Sequence, residues 1–154
     1  TRYTVECPLV LAGITAGLSE EELRQLVEIA RPAGLAFQIQ NDVKEFVRGV
    51  AVGSSDDLVE GKKTLLLRVA YDRLPGSDRD RLQALLQQEE RTPGEIHEAQ
   101  SLVLQSCAVA EQQFLMETLF EQAALAARSP VLPTDIRAGL HELLLTLRRL
   151  IHTS

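Results

Sequence analysis

An all-α fold is predicted for this chain of 154 residues, on three observations. Apolar residues recur at helical spacing over most of its length, as in Leu23, Leu26, Val27 and Ala30 or Leu140, Leu143, Leu144 and Leu147. Helix start and stop signals punctuate that pattern: Ser19 with Glu22, Leu74-Pro75-Gly76-Ser77, Thr92-Pro93-Gly94-Glu95 and Ser129-Pro130. No stretch alternates polar and apolar residues as a half-buried strand does, and no repeat recurs. At 45% hydrophobic and 25% charged, the chain is long enough for one core and short for two. A single helical domain over residues 1–154 is therefore expected.

Taken in order, Thr1 to about Ala16 reads as a largely apolar helix with Val5, Leu9, Val10, Ala12 and Ile14 as core candidates, Pro8 in its first turn or at a kink, and Gly17 as its end. Ser19-Glu20-Glu21-Glu22 is a capping box whose acidic first turn complements the helix dipole, and a long helix is expected to follow. Pro32 removes one of its backbone hydrogen bonds and predicts a kink there. Residues 49–61, with their glycines, serines and aspartates, are expected to form a loop. Lys62 to about Tyr71 resumes an apolar helix, and Leu74-Pro75-Gly76-Ser77 breaks it as a turn with Asp78 as a possible cap. Arg79 to Arg91 reads as a charged amphipathic helix. Thr92 as N-cap, Pro93 at the first helical position and Glu95 three residues on begin a helix expected to run to about Arg128. After the turn over residues 129–135, a last helix spans Ile136 to about Ile151.

Composition narrows the function. A formal charge of −6 argues against nucleic acid or an anionic membrane surface as a general partner. No apolar run is long enough to span a bilayer. The two cysteines, Cys7 and Cys107, stand isolated, which points to free thiols and a cytoplasmic setting. The three histidines show no metal spacing, and without tryptophan there is no stacking platform for bases.

The chemistry concentrates in Gly34-Leu-Ala-Phe-Gln-Ile-Gln-Asn-Asp-Val-Lys-Glu45. On a helix, Gln38, Asn41, Asp42 and Glu45 stand three and four residues apart and share one face. Two carboxylates and two amides there offer hard oxygen donors of the kind that suit Mg²⁺, an ion that keeps several waters and is completed by substrate phosphates. A diphosphate is the natural partner. The same residues also fit the solvated end of an amphipathic helix.

This stretch resembles the trans-isoprenyl diphosphate synthases, or polyprenyl synthetases, whose second aspartate-rich motif reads Asp-Asp-x-x-Asp after a Gly-x-x-Phe-Gln lead-in. Here Asn41-Asp42-Val43-Lys44-Glu45 follows Gly34-Leu35-Ala36-Phe37-Gln38, so two of three acidic positions are altered. The likeness extends to Tyr3-Thr4-Val5-Glu6-Cys7-Pro8-Leu9 and to Asp56-Asp57-Leu58-Val59-Glu60-Gly61-Lys62-Lys63-Thr64, the latter similar to the family's Asp-Leu-x-Glu-Gly-Lys-x-Thr. The resemblance implies the C-terminal half of an isoprenoid-synthase-type helical bundle. The family's first half, with its first aspartate-rich motif, has no counterpart here.

On this resemblance Asp42 ligates Mg²⁺, with Asn41 and Glu45 in the flanking ligand positions and Lys44 at a non-ligand position. Asn41 brings only a neutral carbonyl oxygen. Lys62 takes the place of the family's diphosphate-binding lysine, against the plainer role of a surface lysine beside Lys63. Gln38 lines the site, against a buried amide satisfied by backbone; Phe37, Tyr3 and Thr4 are substrate-pocket positions, against plain core packing. The function implied is Mg²⁺-dependent condensation of an allylic diphosphate with isopentenyl diphosphate. Its rivals are a terpene cyclase on the same fold and a non-catalytic helical subunit of a prenyl synthase. With one acidic cluster, the chain alone is expected to be inactive and to join a chain or segment that carries the first motif, or copies of itself.

Overall fold

The computed structural model describes residues 5–52, 64–88 and 90–152. All regular structure among them is helical: α1 (Cys7–Thr15), α2 (Glu20–Val52), α3 (Leu65–Arg73), α4 (Gly76–Gln87), α5 (Pro93–Gln105), α6 (Ala108–Ala126) and α7 (Thr134–His152). Contacts between Cα positions divide the chain into two compact units, one of residues 1–38 with 115–154 and one of residues 39–114. The boundaries fall inside α2 and α6.

In the first unit, α1 carries Pro8 in its opening turn, where the missing N–H costs nothing, and stops before Gly17 at φ 76°. The buried Gly13 brings α1 against α2: a Cβ there would lie 2.7 Å from Leu26 Cδ1 and 2.8 Å from Leu23 Cδ2. Arg31 of α2 pairs with Glu6 at 3.5 Å, just before α1. Ser19 and Glu22 form the expected capping box, with the Ser19 N–H donating to Glu22 Oε2 at 2.6 Å and the Glu22 N–H to Ser19 Oγ at 3.4 Å. From there α2 continues through Pro32 as one helix of 33 residues. Leu26, Ile29, Ala30, Ala33 and Ala36 bury its inner face, and Met116, Leu119, Phe120, Ala123, Ala127, Leu132, Leu140 and Leu144 are the other buried apolar side chains among the described residues of this unit.

The second unit is built on one apolar cluster that joins Phe46 of α2 to Leu66, Leu67 and Ala70 of α3, Leu74 after it, Leu82 and Leu85 of α4, Ile96, Ala99, Leu102 and Val103 of α5 and Ala108 of α6. Thr64 caps α3, its hydroxyl accepting the Leu67 N–H, and Lys62, the expected start of this helix, lies outside the described residues. Helix α4 starts at Gly76 behind an extended Pro75, which leaves Asp78 inside the first turn rather than at the cap, and it ends at Gln87 rather than Arg91. Arg91 instead reaches back, its guanidinium donating to the carbonyls of Leu85 and Leu86 at that end. Thr92 and Glu95 close a second capping box on α5. The helix expected to reach Arg128 is two helices, broken at Ser106–Cys107. Cys107 adopts φ 59°, and Ser106 Oγ donates to the Val103 carbonyl while accepting the Ala108 N–H, ending α5 and starting α6.

The candidate diphosphate and metal site

Helix α2 places the candidate site. Within the second unit Ile39, Val43 and Phe46 are buried at 2%, 7% and 2% exposure, and that register turns Asn41 and Glu45 to the open side and leaves Asp42 half-buried between. Gln38 and Phe37 close the first unit's part of the same helix. Gln38 is exposed, so the buried-amide alternative does not describe it; Phe37 is half-buried and belongs to neither extreme. Lys44, expected at a non-ligand position, is half-buried. Gly34 is buried, as a close-packing position requires. Tyr3, Thr4, Asp56, Asp57, Lys62 and Lys63 lie outside the described residues.

The donor set fits a magnesium ion in part. Asn41, Asp42 and Glu45 offer one amide and two carboxylates, all hard donors, within about one turn, with Asn41 and Glu45 exposed and Asp42 half-buried. Among the described residues no group of three or more His, Cys, Asp or Glu side chains stands close enough to hold a metal. A lone ion held by one or two carboxylates, with water and a phosphate completing the shell, asks for no such group. Three carboxylates elsewhere in the chain are held below their usual range by structural contacts. Hydrogen bonds from Ser19 lower Glu22, and those from Thr92, its backbone N–H first, lower Glu95. Arg81 grips Glu98 through two bonds of 2.7 and 2.6 Å, which lowers the carboxyl and raises the guanidinium.

One polar residue near the cluster escaped sequence reasoning. Gln40 is 3% exposed with no hydrogen-bond partner for its Oε1. The helical period carried the signal, since position 40 stands four residues after Ala36 and three before Val43, both on the buried stripe.

One long helix thus carries both the Phe37-Gln38 lead-in and the oxygen donors of Asn41, Asp42 and Glu45, and comparison with known proteins bears on that pattern directly. The polyprenyl synthetase family model matches residues 1–103, and the chain belongs to that family. It is 33% identical over 116 residues to a short chain isoprenyl diphosphate synthase of Methanocaldococcus jannaschii, covering 72% of this chain and 35% of that protein. A second protein so described, from Methanothermobacter thermautotrophicus, is 40% identical over 78 residues, covering 47% of this chain and 23% of its own. Among solved structures, a geranylgeranyl pyrophosphate synthase from Corynebacterium glutamicum complexed with isoprenyl diphosphate and magnesium superposes with a TM-score of 0.80 at 24% identity, over 94% of this chain and 42% of that one. That likeness establishes the all-α isoprenoid synthase fold. The chain spans about a third or less of the length of these curated relatives. Among the described residues no helix is long and apolar enough to cross a membrane.

Proposed function

We propose that this chain supplies the second acidic helix of a prenyltransferase, an isoprenyl diphosphate synthase of the geranylgeranyl or farnesyl type, which condenses an allylic diphosphate with isopentenyl diphosphate in a cytoplasmic setting. One observation carries the reading: in a member of the polyprenyl synthetase family, α2 turns Asn41 and Glu45 outward with Asp42 half-buried between them, one turn after Phe37-Gln38. Asp42, with Asn41 and Glu45 beside it, would hold magnesium, which when bound neutralises charge on the departing diphosphate. The chain's own part is to aim these oxygens from a helix locked by its buried face, so that charge stabilisation needs little reorganisation as the allylic C–O bond breaks. Gln38 and Lys62 bind the same diphosphate, and Phe37, Tyr3 and Thr4 line its pocket. A neutral oxygen at Asn41 weakens metal binding relative to a full aspartate set. Activity on this reading also requires a chain or segment carrying the first aspartate-rich motif, in a homo- or hetero-oligomer, and the 154 residues alone are inactive.

In active protein containing that first motif, Asp42→Asn is expected to lower turnover about a hundredfold or more, because a metal's charge stabilisation is worth several kcal/mol. Lys44→Ala is expected to change it little. Equal effects at the two positions would refute the ligand assignment. The altered Asn41 and Glu45 favour one alternative, a terpene cyclase on the same fold. Product analysis with and without isopentenyl diphosphate separates the two, since a cyclase makes its product from the allylic diphosphate alone.

A further inference from the structure

The open face of α2 does not end at Glu45. Three residues on, and a full heptad from Asn41, stands Arg48, exposed like both of them. At 3.6 residues per turn, seven residues bring it within about 20° of the direction of Asn41 and three bring it about 60° from Glu45. Helical side chains lean toward the helix N-terminus, which carries the guanidinium of Arg48 back toward the turn bearing Glu45 and Asn41. Its flanks are committed elsewhere, because Phe46 belongs to the core of the second unit and Val50 packs against that core. Among the described residues, ion pairs engage Arg24, Arg31, Arg68, Arg73, Arg81 and Arg148, and none engages Arg48.

We infer that Arg48 is a further diphosphate-binding residue, gripping a phosphate oxygen from the same helix face that presents Asn41, Asp42 and Glu45. This rests on the proposed function and adds to it a second cationic side chain beside the proposed Lys62. A diphosphate has oxygens for more than one. Two carboxylates repel a polyanion, and metal charge held by one aspartate, one glutamate and a neutral amide, with a single lysine, leaves phosphate oxygens unmatched. A guanidinium supplies a planar fork of donors that pairs two such oxygens at once and stays charged at every working pH. A simple surface pair with Glu45 along the helix is the competing role, and it predicts no effect on a phosphate ligand.

The probe is inorganic pyrophosphate, titrated into the 154-residue chain with and without Mg²⁺ at low salt and followed by calorimetry or phosphorus NMR to millimolar concentration. The wild-type chain is expected to bind it in a magnesium-dependent way. Arg48→Gln should weaken that binding about tenfold, and Arg48→Lys should restore part of the loss, since a point charge replaces the fork. Asp42→Asn is the control for the reading beneath it. If Asp42→Asn loses binding while Arg48→Gln stays within about twofold of wild type, the role of Arg48 is overturned and the proposed function stands. If the wild type shows no magnesium-dependent binding, or Asp42→Asn leaves it intact, both are overturned. Because Arg48 is exposed, unchanged helical circular dichroism is expected for each Arg48 variant.

Discussion

The candidate site depends on the rotational register of α2, and adjacent residues test that register directly. Phe46 is 2% exposed and sits in the core cluster of the second unit, whereas Val47, next along the helix, is 47% exposed. Truncating a fully buried phenylalanine to alanine removes its transfer free energy and leaves a cavity, a combined cost of about 3–5 kcal/mol. For a protein of this size each kcal/mol lowers Tm by about 2–4 °C, so Phe46→Ala should melt about 6–20 °C below wild type. Val47→Ala loses little burial and gains helix propensity, and should lie within about 0.5 kcal/mol of wild type. Urea unfolding followed at 222 nm checks both, with a shifted midpoint and an unchanged slope expected for Phe46→Ala. If Val47→Ala proves the more costly, α2 is rotated by about a quarter turn relative to its core. Asn41 and Glu45 would then leave the open face, and the metal and diphosphate assignments would fall together.

The remaining expectations concern phosphate binding and acid stability. In active protein, Lys62→Ala should raise the apparent KM for the diphosphate substrate and Lys63→Ala should be nearly silent; a sensitive Lys63 would mean that the match to the family's Asp-Leu-x-Glu-Gly-Lys-x-Thr segment is displaced by one residue. Glu22 and Glu95 are both lowered by their capping hydrogen bonds. A carboxyl lowered on folding contributes stability that is present above its unfolded pKa and lost as pH falls through its folded one. Urea midpoints measured from pH 7 down to pH 3 should therefore fall in the acid range, and fall less steeply in Glu22→Gln and Glu95→Gln. Variants that follow the wild-type curve would show that these boxes do not drive the acid dependence.

What the sequence made legible follows from which interactions are local. Both capping boxes reside in four consecutive residues, so Ser19-Glu22 and Thr92-Glu95 announced their helices without reference to anything distant. The apolar period of α2 did the same for its inner face, and through it for the outward position of Asn41 and Glu45. The break at Ser106–Cys107 was not legible, because the apolar pattern runs across it and the residue at φ 59° is a cysteine rather than the glycine or asparagine that marks such a turn. Helix α4 misled in a related way. Pro75-Gly76 reads as a turn, yet proline in an extended conformation also makes an entry to a helix, and the burial of Leu82 and Leu85 against α3 and α5 decides between them. That decision is tertiary and leaves no local trace.

The site divides along the same line. Which face of α2 carries Asp42 follows from helical geometry, a property of consecutive residues. What lies opposite that face, and whether Lys62 reaches it, depends on segments distant in the chain. Family likeness therefore carries most of the proposal that this acidic stretch is a metal and diphosphate site, since the alternative of a solvated helix end satisfies the same spacing. Arg48 shows the limit of that help. It stands between the matched motifs, where the sequence offers it either as a phosphate contact or, more plainly, as a solvent-facing arginine, and the observed exposure of positions 41, 45 and 48 along one helix puts it on the side that carries Asn41 and Glu45. Physical placement reaches past the end of the motif where pattern matching stops, and the pyrophosphate titration of Arg48→Gln asks whether that extra turn of helix belongs to the site.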